Sequence, residues 1–227
     1  MRSTFLLLFF GVLWGSNASA QEALSLDKKY KEDQFYVGIS YNFLFNKPDD
    51  VTERNLSYGL KLGFIKDISL NYNRTIALGI GMGYAVNSYY SNLLAVESGN
   101  AIHYSVIDSN DDFKRNKVET HLIEMPFEIR WRNSTASEYK FWRIYAGFKL
   151  GYLLGGRSKF VSEQYKRSFF NADIQKLHYG LTFNFGYNTF NIHAYYSLNN
   201  LFNDNVTVNG EDITLKPLRI GLIFYIL

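Results

Sequence analysis

Eight charged residues could carry chemistry inside this chain: Lys61, Glu124, Glu128, Arg130, Arg132, Arg143, Lys149 and Arg219. Each falls on the small and polar parity of a segment whose other parity is bulky and apolar. If that parity is enclosed, every one of these charges needs a partner. The expected arrangement is a salt-bridged plug, and a gated ion path is the alternative. Four histidines, His103, His121, His178 and His193, are the metal or general-base candidates. No two share a segment at ligand spacing, and the inward pair, His178 and His193, should sit at opposite ends, so neither a metal site nor a triad is expected. His103, Ser105 and Asp108 lie close in one long connection and outline a loop-based acyltransferase or protease, against the plainer reading of a solvated polar loop. Gly79-x-Gly81-x-Gly83 is not a phosphate loop, because no helical pattern follows it. Catalytic, cofactor-binding and metal residues are therefore all expected to be none.

The elements that hold these residues alternate with period two. Eight such segments occur, at about 34–46, 56–65, 75–87, 118–132, 140–154, 176–188, 189–199 and 217–227. In the first, Phe35, Val37, Ile39, Tyr41, Phe43 and Phe45 oppose Gln34, Gly38, Ser40 and Asn42. In the third, Ile76, Leu78, Ile80, Met82, Tyr84 and Val86 oppose Ala77, Gly79, Gly81, Gly83 and Ala85. The bulky parity is too voluminous to fill an eight-stranded interior, whereas glycine and alanine relieve crowding there. The bulky face is therefore the outer wall and the small, polar face the lumen. The expected fold is an all-β, eight-stranded antiparallel transmembrane barrel with a filled polar lumen.

Connection lengths agree with that orientation. The links at 66–74, 133–139 and 188–189 are short and periplasmic; those at 47–55, 88–117, 155–175 and 200–215 are long and external. Outward aromatics form a periplasmic belt of Phe35, Phe64, Trp131, Trp142, Tyr187 and Phe190. An outer belt holds Phe45, Tyr58, Tyr84, Tyr152, Tyr179 and Tyr196.

The ends of the chain address it to the envelope. Residues 1–20 read as a cleaved signal peptide, with Arg2, an apolar run from Phe5 to Trp14, and Ala18-Ser19-Ala20 before the cut. Residues 21–33 form a short periplasmic segment and 34–227 the barrel. Arg219, Gly221, Phe224 and Ile226 fit a C-terminal insertion signal. With no cysteine in the chain, disulfides, thiolate metal sites and a lipid anchor after the cut are not expected. A net charge of +3 is too mild to argue for nucleic acid. Mean hydropathy is −0.18, as expected when each strand is half apolar.

Four stretches carry a resemblance: Leu122-Ile-Glu-Met-Pro-Phe-Glu-Ile-Arg-Trp131, Phe141-Trp-Arg-Ile-Tyr-Ala-Gly147, Phe185-Gly-Tyr-Asn-Thr-Phe190 and Leu222-Ile-Phe-Tyr-Ile-Leu227. With them the chain resembles the small outer-membrane β-barrel proteins of Bacteroidota, porin-family or PorT-like, over residues 21–227. The resemblance implies an eight-stranded barrel and no catalytic residues. Some members of that family are implicated in type IX secretion and gliding, and many have no assigned role; the N-terminal pattern of PorT itself does not occur here.

The expected function is a non-enzymatic accessory or structural subunit of an envelope machine for protein secretion, barrel assembly or gliding. A narrow porin is the alternative and an outer-loop enzyme the third reading. Expected partners are outer-membrane lipid and lipopolysaccharide, other envelope proteins, and the barrel assembly machinery during insertion, with no nucleic acid. Arg157, Lys159, Lys166 and Arg167 in the basic connection 155–175 are the candidate contacts to lipopolysaccharide phosphate or a partner.

Overall fold

The structure is a computed structural model, and it describes residues 33–71, 73, 75–99, 101–108, 113–133, 142–188 and 190–226. The signal peptide, its cleavage site and nearly all of segment 21–33 lie outside the described residues. Among the described residues thirteen strands follow one another. They are β1 Gln34–Phe45, β2 Tyr58–Ser69, β3 Ile76–Tyr90, β4 Leu93–Ser98, β5 Ala101–Val106, β6 Arg115–Arg132 and β7 Trp142–Val161. Then come β8 Lys166–Phe170, β9 Leu177–Tyr187, β10 Phe190–Ser197, β11 Thr207–Val208, β12 Glu211–Asp212 and β13 Lys216–Ile226.

Eight of them close a ring of antiparallel ladders in the order β1, β2, β3, β6, β7, β9, β10, β13, with β13 pairing back onto β1. Closure removes both sheet edges, which is what lets a sheet cross a bilayer. Parity along each strand sets the faces. On β1, Gln34, Tyr36 and Asn42 are buried while Phe35, Val37 and Ile39 are exposed. Phe35 is 62% exposed and Leu62 58%, values that suit a lipid-facing wall and no soluble core. The periplasmic belt is continuous in places: Phe35 and Phe64 stand 5.2 Å apart, and Trp142 stacks on Phe185 at 5.3 Å.

Three expectations need correction. First, β2 runs on to Ser69, so its periplasmic link is shorter than 66–74 and Asp67 becomes an inward residue. Second, the connections 88–117 and 155–175 are not loops. β3, β6 and β7 continue beyond the wall, to 15, 18 and 20 residues, where about 10 suffice to cross. β4 and β5 form a hairpin of their own, and β8 folds back on the end of β7. Third, the lumen is not purely polar. Near its periplasmic end Tyr36, Ile65, Tyr145, Ile223 and Tyr225 form a buried cluster.

A bulge separates wall from extension on β7. His121 pairs with Gly155 but its neighbour Leu122 pairs with Leu153, so Leu154 is one residue too many. One extra residue inverts every later side chain. Below the bulge odd residues such as Arg143 and Lys149 face inward; above it Ser158 is buried and Arg157 exposed.

Candidate functional site

The lumen charges assemble into two layers. In the lower one, Arg130 from β6 bonds Asp67 of β2 and donates through Nε to Glu128 Oε2 at 3.0 Å. Arg132 Nη1 reaches the other Asp67 oxygen at 2.7 Å, and Arg130 Nη1 donates to Gln34 Oε1 at 3.2 Å. The Arg130 guanidinium lies 4.4 Å from the Tyr145 ring centre and 5.1 Å from that of Tyr225. Asn184 donates to Glu128 Oε1 at 3.1 Å and hydrogen-bonds His193.

In the upper layer Glu124 accepts from Lys149 Nζ and Arg219 Nη1, both at 2.9 Å. Arg219 and Lys149 also share the face of Tyr195, at 4.3 and 5.2 Å. Lys61, Lys149, His193 and Arg219 line a small void with room for about one water. His193 bridges the two layers, hydrogen-bonded to Asn184 below and lining the void with the cations above. Its ladder partner Asn184 lies six residues along β9 from His178, a separation of about 20 Å.

Glycines make room for these layers. A Cβ on Gly79 would stand 2.8 Å from Arg130 Nε, and one on Gly83 would meet the Tyr36 hydroxyl. The glycine stripe thus holds space for arginine and tyrosine rather than for solvent. All eight sequence-predicted lumen residues lie buried inside, Arg143 among them. Asp67 escapes the pattern because Lys66-Asp67 reads as the start of a turn, yet it pairs with both Arg130 and Arg132.

A second seal closes the outer mouth. Leu44, Val51, Tyr89, Leu93, Val118, Ile174, Leu201, Phe202, Val206, Val208, Ile213 and Leu215 form one apolar cluster contributed largely by the external connections. Its backbone is tied down by Leu201 N to Leu215 O at 2.8 Å and Asn203 N to Asp173 O at 2.7 Å. Tyr104 of β5 donates to Asp173 Oδ2 at 3.1 Å and accepts from Asn171 Nδ2 at 2.9 Å. Burial pushes the Tyr104 phenol up, which keeps it a neutral donor.

The other candidates are placed as follows. His103 and Ser105 are exposed on one face of β5, with exposed Asp108 beyond the strand end. His121 faces outward and its Nδ1 lies 2.6 Å from the Tyr84 hydroxyl. Among the described residues, no three histidine, aspartate or glutamate side chains are grouped to hold a metal. In the C-terminal strand, Arg219 points into the lumen, Phe224 packs on Phe190 at 6.0 Å and Ile226 faces outward. A Cβ on Gly221 would strike Ile39 O and Ser40 Cα on β1.

The four basic residues of 155–175 do not act as one group. Arg157, Lys159 and Lys166 share the outward face of β7 and β8. Arg167 takes the opposite parity and lines a crevice with Leu94, Val96, Phe160 and Phe169, against the β4–β5 hairpin. The correction follows from β8 being a strand, in which adjacent side chains point to opposite faces.

The crystal structure of Ail, the attachment invasion locus protein of Yersinia pestis, is similar at 14% identity, covering 86% of this chain and 98% of that one, with a TM-score of 0.35. No curated protein matches the chain. The family model described as outer membrane protein beta-barrel domain matches residues 17–203. The chain belongs to the outer membrane protein β-barrel domain family, and its place is the outer membrane.

Proposed function

We propose that this protein is a non-enzymatic, non-conducting structural subunit of a larger envelope assembly, serving protein secretion, barrel assembly or gliding. One observation carries the reading: the lumen is blocked twice, by the Glu124–Lys149–Arg219 layer and by the apolar cap over the mouth. A barrel so blocked has only its wall and its external sheet left to act with. Pull-down of the tagged protein from native outer membranes in mild detergent tests this. A stoichiometric set of co-purifying envelope proteins is expected, and a lone barrel at full yield would count against it.

A narrow pore is the second reading, favoured by the lumen's charge. Lys61, Arg130, Arg132, Arg143, Lys149 and Arg219 face Asp67, Glu124 and Glu128, so cations outnumber carboxylates among the described residues. Such a pore would select anions. The third reading, an enzyme built on His103, Ser105 and Asp108, has all three of its groups exposed to water. Replacing His103 and Asp108 without loss of function would dispose of it.

A further inference from the structure

Above the outer aromatic belt, the outward face of β6, β7 and β8 forms a cationic step. The ladders put Arg115 beside Val161 and Lys166, Lys117 beside Lys159 and Ser168, and Glu119 beside Arg157 and Phe170. Lys117 and Lys159 stand directly opposite, an arrangement of like charges that destabilises a sheet, and only Lys117 of the two has a carboxylate partner among the described residues. Glu119 is the one carboxylate in these rows, and it is already taken by Lys117, by the Ser88 hydroxyl at 3.2 Å and by His121 Nε2 at 3.6 Å. Arg115, Arg157 and Lys166 are exposed and Lys159 is half-buried.

Height and company identify the ligand. Tyr152 of the belt precedes Arg157 on β7 by five residues, one of them the bulge, about 13 Å along the strand and less in height once strands tilt. At a tilt of about 40° that is roughly 10 Å in height, at the outer edge of a headgroup layer about 5–8 Å deep on each side of the hydrocarbon. Phe170, 66% exposed, stands in the same row with the Arg157 guanidinium 4.5 Å from its ring. A bare phenyl beside free cations, on the face continuous with the lipid-facing wall, fits a lipid with a phosphorylated head.

We propose that Arg115, Arg157, Lys159 and Lys166 bind the phosphates of outer-leaflet lipopolysaccharide, with Phe170 resting against its acyl boundary. Burial, with Lys166, Lys117 and Arg115 crowding it, holds the Lys159 ammonium below its ordinary range, the direction an arriving phosphate reverses. Pairing with Glu119 and Lys117 above the Leu154 bulge holds Arg157 and Lys159 on the outward face. The site stands whether or not the protein proves to be a subunit of an assembly.

The test is lipopolysaccharide binding by the full barrel in detergent micelles, followed by native mass spectrometry. The triple variant R157A/K159A/K166A should lose at least about tenfold in affinity while keeping its heat-modifiable migration. R167A, on the opposite face, should bind as the parent does. Dephosphorylated lipid A should compete at least about tenfold worse than the phosphorylated form against the unaltered protein, a comparison that needs no variant. Equal competition by the two forms, full binding by the triple variant, or a loss in R167A as large as in the triple would overturn the proposal. Displacement of the lipid by millimolar inorganic phosphate would overturn it too, by showing a general anion site.

Discussion

Arg219 of the C-terminal strand and Glu124 of β6 meet 2.9 Å apart in the middle of the barrel, from strands that are not neighbours in the ring. An ion pair that crosses a lumen cannot coexist with an open bore at the same level. It also ties the last strand of the chain to one placed 95 residues earlier, so the charge layer forms only when the ring closes.

Removing the shared carboxylate should be costly. Glu124→Gln leaves Lys149 and Arg219 buried without their common anion. About 3–5 kcal/mol of stability should be lost. The expected result is a lower midpoint in urea unfolding of the barrel in detergent, with K149M in the same background recovering part of it.

Gly221 is a packing requirement apart from any role as an assembly signal. A Cβ there meets the backbone of β1, which cannot move aside without breaking the β1–β13 ladder. Gly221→Ala should slow or abolish folding into detergent in the absence of any assembly machinery, at a cost on the order of 1–3 kcal/mol. Normal unassisted folding of that variant would show the glycine to be read by a partner instead.

The bulge makes a parity prediction in a chain with no cysteine. A single cysteine at Lys159 should react with a membrane-impermeant thiol reagent, and one at Ser158, buried, should not. Deleting Leu154 should leave both reactivities as they are, because Leu153 and Gly155 then take consecutive places opposite Leu122 and His121 and the ladder above keeps its register.

Acid should loosen the outer sheet. Burial works against charge on Glu119, yet Lys117, the Ser88 hydroxyl and His121 together hold its carboxyl below the ordinary value. A depressed carboxylate contributes stability above its unfolded pKa, about 4.3, and loses it as pH falls through the folded value. Hydrogen exchange of the β6–β7 extension should accelerate below about pH 4.5, and in Glu119→Gln that dependence should flatten.

Much of this was legible from the residues. Alternation on β1, β3 and β9 fixes the wall and the lumen because a strand's period is two and both faces have one job. Three features were not. Asp67 hides because a charged pair after an apolar run looks like a turn, and only the extension of β2 makes it inward. The bulge hides in Leu153-Leu154-Gly155-Gly156, a stretch with no alternation to interrupt, and with it went the sorting of Arg157 from Arg167. The cap hides because Val51, Ile174, Phe202 and Leu215 come from separate connections and meet only in space.

The most direct measurement of the central claim is planar-bilayer conductance of the refolded, heat-modifiable barrel in molar potassium chloride. A barrel blocked by the Glu124 layer and the apolar cap gives a silent baseline with no stable open steps. Reproducible steps with anion selectivity, abolished by reversing the charge of Arg219, would contradict the closed-barrel account.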